Sequence, residues 1–229
     1  MGRIPPLILS YELRIIVAML SMADILQVGP EPGEDATVDR IAAAALDQFA
    51  QYGIRRSTID DVAKRAGVSR VTVFRRFTNK ERLVEFVVAR EIRRGMEELD
   101  RAWDGGGTLE DRLVHGFSFV MEFTRGHPLF GRLLHSEPDY VLPLVTVDGG
   151  PALALYRFLI AHRLDAEVRA GRARAGDVEA KAEVIARLAM SLVLTPVGVI
   201  DLDDASSVRA FVRLALLPML EPIDGDTPQ

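Results

Sequence analysis

Nine basic side chains fall between Ile54 and Arg82: Arg55, Arg56, Lys64, Arg65, Arg70, Arg75, Arg76, Lys80 and Arg82. Only three acids, Asp60, Asp61 and Glu81, share the stretch. It therefore carries +6 in a 229-residue chain of net charge −5, which leaves −11 for everything outside it. A compact patch of this kind can neutralise phosphates, and its arginines can bond two acceptors of a base at once. Other chemistries find little footing. There is no cysteine, which removes disulfides, thiolate metal sites and cysteine nucleophiles. The four histidines, His115, His127, His135 and His162, contain no i, i+4 pair, so neither a metal nor a cofactor is expected. Gly105-Gly106-Gly107 follows no strand and precedes no Lys-Ser/Thr, so it reads as a linker rather than a phosphate loop. No nucleophile–base arrangement or paired-carboxylate site declares itself, and the chain is read as a non-enzyme.

The elements that must position the patch are short helices. Ile41, Ala44, Ala45 and Phe49 form one apolar stripe, which Tyr52-Gly53 ends. Thr58 and Asp61 have capping-box spacing, and Val62, Ala63 and Ala66 give the next helix an inward face. Gly67-Val68-Ser69 supplies a turn and an N-cap for a third helix, Arg70 to Phe77. Thr78-Asn79-Lys80 breaks it, and a long helix runs from Glu81 to about Trp103. Three short helices with a glycine turn between the second and third describe a helix-turn-helix. In such a unit the start of the third helix faces base edges, which places Arg70 and Thr72 there, with Arg75 and Arg76 one turn later. Thr58 and Lys80 stand at helix starts suited to phosphates, and Ser69 caps the reading helix.

The residues that carry this pattern are Ile41 to Ala44, Phe49, Gly53, Thr58 to Ala63, Ala66 to Ser69, Thr72 to Phe74, Phe77 and Asn79 to Leu83. Residues 37–84 with these features resemble the N-terminal domain of TetR-family transcriptional regulators. The resemblance implies an all-helical homodimer in which a variable C-terminal domain binds a small, fairly hydrophobic effector, most such proteins being repressors. It also marks a departure: Phe74 stands where the family usually has a tyrosine whose hydroxyl contacts a phosphate. Arg76 replaces a common histidine and offers a compensating contact.

Beyond Gly107 further helices are read near 108–125, 128–135, 150–170, 177–199 and 205–220, and Tyr140 to Val147 has some β character broken by Pro143. The expected architecture is all-α: an extension over 1–34, a helix-turn-helix domain over 35–84, and an effector-binding and dimerisation domain over 85–229. The extension is too interrupted by Pro5-Pro6, Glu12, Arg14 and Asp24 to span a membrane. It reads as an arm, an added helix or an overlong start, ending in the linker Gly29 to Gly33. The last helix is apolar nearly all round and the one before it has a similar apolar face, which a two-fold interface between chains explains, an ordinary monomer core being the alternative. Val184, Leu188, Leu192, Phe211, Leu214 and Leu217 are the expected interface residues. Phe117, Met121, His127, Phe130, Tyr156 and Met190 are the expected effector contacts, since bulky apolar groups with a few polar ones line small-molecule sites. The partners expected are thus double-stranded operator DNA, a small effector and a second copy, in the cytoplasm and with no membrane. The competing reading is a helical small-molecule-binding or catalytic protein whose basic hairpin is incidental.

Overall fold

In a computed structural model of the chain, residues 35–220 are described, and the expectation for the 1–34 extension lies outside them. Every regular element among the described residues is helical: α1 (Ala36–Tyr52), α2 (Ile59–Ala66), α3 (Arg70–Arg76), α4 (Lys80–Asp104), α5 (Leu109–Gly126), α6 (Phe130–Ser136), α7 (Pro138–Val145), α8 (Gly150–Arg169), α9 (Val178–Leu194) and α10 (Ala205–Phe211). A π-helical turn, Val212–Leu216, carries α10 into a last turn, α11 (Leu217–Leu220). Their contacts divide the chain into two compact units. One contains residues 35–95 and 126–151, and the other 96–125 and 152–220.

The first unit closes around side chains from all four N-terminal helices. Val38, Ile41, Ala45 and Phe49 of α1 meet Val62 and Ala63 of α2, Val73 of α3, and Leu83, Phe86 and Val87 of α4. Phe77 and Phe86 pack with centroids 5.2 Å apart at 57°, a tilted aromatic contact. Leu129 and Leu133, from the returning segment, complete the core. That segment is also pinned by polar contacts. Arg132 Nη2 donates to the Gln51 carbonyl at 3.0 Å, and the Arg55 amide donates to Glu137 Oε1 at 3.1 Å. His127 precedes α6, its Nδ1 accepting from the Leu129 and Phe130 amides and its Nε2 lying 3.1 Å from buried Glu91.

The second unit gathers Leu109, Leu113, Phe117 and Met121 of α5, Ala161 and Leu164 of α8, Ala182 and Ile185 of α9, and Val208, Phe211, Val212, Leu216, Leu217 and Leu220 of the last helices. Its buried carboxylate, Glu167, accepts from Arg172 Nε at 2.6 Å and from Trp103 Nε1 at 3.3 Å. These donors and their charge hold its pKa below the ordinary value, although burial opposes them as the largest single influence.

Two sequence expectations change here. Residues 140–145 are helical and 146–148 form a turn; Pro138 sits at the N-terminal edge of α7, where its missing N–H is not needed, and Pro143 lies within the helix. Helix α9 ends at Leu194 rather than near 199, because Thr195 precedes Pro196 and leaves the helical region at φ −134°, ψ 73°.

Candidate nucleic-acid interface

Thr58 accepts from the Asp61 amide at 3.2 Å, and the Asp61 carboxylate accepts from the Thr58 amide at 2.9 Å, so the capping box is complete in both directions. The Thr58 hydroxyl and amide bonds hold the Asp61 carboxyl below its ordinary pKa. At the other end of α2, Gly67 turns the chain at φ +65°, ψ 35°, a left-handed conformation that costs glycine least. Two residues on, Ser69 Oγ accepts from the Thr72 amide at 3.1 Å and lies 2.8 Å from the Thr72 hydroxyl. The turn and both caps are thus built from the residues that the spacing singled out, and they set α3 on the surface of the unit with Val73 fully buried beneath it.

Helical phase then sorts the α3 side chains. Stepping about 100° per residue from Val73, positions 71 and 75 lie opposite the core. Val71 is 67% exposed, and Arg75 is exposed with no hydrogen bond or ion pair among the described residues. The other two cations of α3, and Lys80 after it, are held by neighbours. Arg70 Nη1 donates to Asp60 Oδ2 at 2.8 Å, and its guanidinium carbon lies 5.2 Å from the Phe74 ring centroid. Arg76 pairs with Asp35 at 2.9 Å. Lys80 Nζ donates to the Arg55 carbonyl at 3.4 Å, and partial burial lowers its pKa. Thr58, Ser69, Arg70, Thr72, Phe74, Arg75, Arg76 and Lys80 therefore belong to one small unit, on α3 and at the starts of the helices around it. Val71 escaped the sequence reading. Its signal was an apolar, β-branched residue out of phase with the buried stripe of its own helix.

The expected effector residues are distributed over both units. Phe117 and Met121 are core residues of the second unit, Phe117 packing on Phe211 at 5.0 Å. His127 and Phe130 belong to the first unit and stack on each other at 4.5 Å. Tyr156 is 38% exposed on α8, and Met190 is half-buried on α9. An open depression of about 580 Å³ is lined by Gln48, Tyr52, Arg56, Asp61, Lys64 and Arg65, none of them an expected effector contact.

The expected interface residues also divide. Phe211 and Leu217 are buried in the chain's own core, Leu188 and Leu192 pack partly against it, and Val184 and Leu214 are exposed, Leu214 at 81%. The π-helical turn is the reason that Leu214, Leu217 and Leu220 do not share a stripe: it widens one turn and shifts the phase between Leu214 and the two buried leucines. Among the described residues, no group of three or more metal-ligating side chains is assembled and no helix is long and apolar enough to cross a membrane.

Comparison with known proteins agrees with the geometry. Residues 36–87 match the family described as bacterial regulatory proteins, tetR family. An uncharacterised HTH-type transcriptional regulator of Mycobacterium bovis is 28% identical over 180 residues, covering 79% of this chain and 92% of that protein. Among solved structures, a TetR-family transcriptional regulator of Pectobacterium atrosepticum superposes with a TM-score of 0.62 at 17% identity, covering 91% of this chain and all of that one. The TetR-family repressor AlkX of a Dietzia strain, implicated in biodegradation of n-alkanes, gives 0.56 at 24% identity over 83% of this chain and 99% of its own. With its capped helix-turn-helix at 36–87 and an all-helical body beyond, the chain carries a DNA-binding domain of the tetR-family type and resembles the transcriptional regulators of that family.

Proposed function

We propose that the protein is a repressor that binds a two-fold symmetric DNA operator as a homodimer and is released by a small apolar effector. The observation that carries the DNA reading is the α3 surface: Val71 and Arg75 face away from the core, and carboxylates or a carbonyl hold the cations beside them. In this reading α3 enters the major groove with Val71, Thr72 and Arg75 toward base edges and Arg70 at its leading end. Ser69 holds the start of α3, Phe74 packs beside it, and Thr58, Arg76 and Lys80 meet phosphates.

Support for the dimer comes from apolar side chains that the second unit leaves in water. Val184, Leu214, Val197 and Val199 are all exposed, more than isolated surface hydrophobics require of one small unit. A second copy would cover them isologously. The effector is assigned to the same unit, where Tyr156 and Met190 keep accessible surface, and it would act by favouring a spacing of the two α3 helices that fits the operator less well. Repression is the mode named for AlkX, whose fold the chain shares. The site of action proposed is the cytoplasm, with no catalytic step.

A salt titration of duplex binding tests the electrostatic core of this reading. Affinity should fall linearly in log–log form, and Arg75→Ala should flatten preference among sequences. Binding insensitive to salt would overturn it.

A further inference from the structure

Asp60 is the second residue of α2, and α2 does not need it for its cap, which Thr58 and Asp61 form between them. Its carboxylate reaches the adjacent helix instead, where Oδ2 accepts from Arg70 Nη1 at 2.8 Å. The two side chains are 61% and 59% exposed, so the pair contributes little to folding stability. Its consequence is geometric. An arginine at the first position of a recognition helix would otherwise sample many rotamers. Here one nitrogen is engaged by Asp60, and the guanidinium carbon sits 5.2 Å from the Phe74 ring centroid. The Nε–H and Nη2–H edge is left as the planar two-donor fork that matches guanine O6 and N7.

We propose that Asp60 is a positioning residue for base recognition, one that presents the Nε–Nη2 edge of Arg70 to a guanine while Phe74 backs the guanidinium. The assignment rests on the DNA-reading function proposed above. Asp60 also places a negative charge beside the phosphate path, so it weakens attachment to every sequence while sharpening the choice among them. These two effects have opposite signs in one measurement, whereas damage to the fold would lower both affinity and preference.

The test uses the full chain and duplexes recovered from a random pool by the unmodified protein, with binding compared across all four bases at each position. Asp60→Ala should bind random duplex about two- to fivefold more tightly, from the lost repulsion of one surface charge. Its guanine preference at one position per half-site should fall roughly tenfold. Asp60→Asn, which keeps an acceptor without the charge, should show the same gain in affinity and retain most of the preference. In an Arg70→Ala background, Asp60→Ala should leave base preference unchanged and still raise affinity. Helical content and thermal midpoint, followed alongside, should stay near those of the unmodified protein. A guanine preference that is unchanged or sharpened in Asp60→Ala overturns the assignment while leaving the DNA-reading function standing. So does an equal loss in the Arg70→Ala background. Failure of the unmodified protein to select any sequence overturns both.

Discussion

Arg76, at the end of α3, pairs at 2.9 Å with Asp35, whose other carboxylate oxygen caps α1 by accepting from the Thr37 and Val38 amides at 2.9 and 3.2 Å. One carboxylate thus fastens the start of the first helix to the end of the third.

Asp35→Ala should therefore cost about 1 kcal/mol as a lost N-cap, with little added by the half-exposed ion pair. Denaturant or thermal unfolding would read this. In the same variant Arg76 becomes free for phosphate, so duplex affinity should not fall in step with stability. A parallel fall would place Asp35 in the interface itself.

Val71 gives a prediction at the level of a single methyl group. Replacing thymine by deoxyuracil in a selected site removes one methyl, worth about 0.8 kcal/mol or roughly fourfold if it is buried against an apolar side chain. The unmodified protein should show that loss at one thymine per half-site, and Val71→Ala should be largely indifferent to the exchange. Binding titrations with the two duplexes decide it.

The Asp61 carboxyl, held low first by the Thr58 hydroxyl and then by its amide, should titrate below 3.8 in the folded protein. A group whose pKa is depressed on folding stabilises above its unfolded value and loses that contribution as pH falls through the folded one. The α2 cap should accordingly be intact above about pH 4 and weaken below it. Carboxyl-carbon NMR of Asp61 would follow the titration, and Thr58→Ala should move it back toward 3.8.

Two leucines at the π-helical turn, Leu214 within it and Leu217 just after it, should behave oppositely. Leu214 is exposed, so Leu214→Glu should leave the helical fold intact while shifting sedimentation from dimer to monomer. Leu217 is buried in its own chain, and Leu217→Ala should cost about 2–5 kcal/mol of stability. A dimer unaffected by Leu214→Glu would move the interface away from this turn.

Much of the first unit was legible because its signals are local. A cap three residues from its partner, a glycine forced to positive φ and a core residue every third or fourth position identify Thr58–Asp61, Gly67, Ser69–Thr72 and Val73 without any long-range information. Val71 is less legible, because its signal is helical phase and it stands among basic neighbours whose charge dominates the stretch. The second unit was less legible for two reasons. Its helices are apolar on several faces, and period alone does not separate Phe211 and Leu217, buried within the chain, from Leu214 on its surface. The π-helical turn also shifts the phase midway through the last helix, which a count of 3.6 residues per turn does not anticipate. Bulk and polarity, the only sequence signals for effector contacts, describe core positions such as Phe117 and Met121 equally well.

If α3 reads DNA twice, once from each copy, selection from a random duplex pool by the full chain will show it. The expected result is a two-fold symmetric site whose half-sites are centred about one helical turn, roughly 34–36 Å, apart, with specificity relaxed at one position per half-site on Arg75→Ala. Recovery of no preferred sequence, or of a site without symmetry whose binding survives Arg75→Ala, would contradict it.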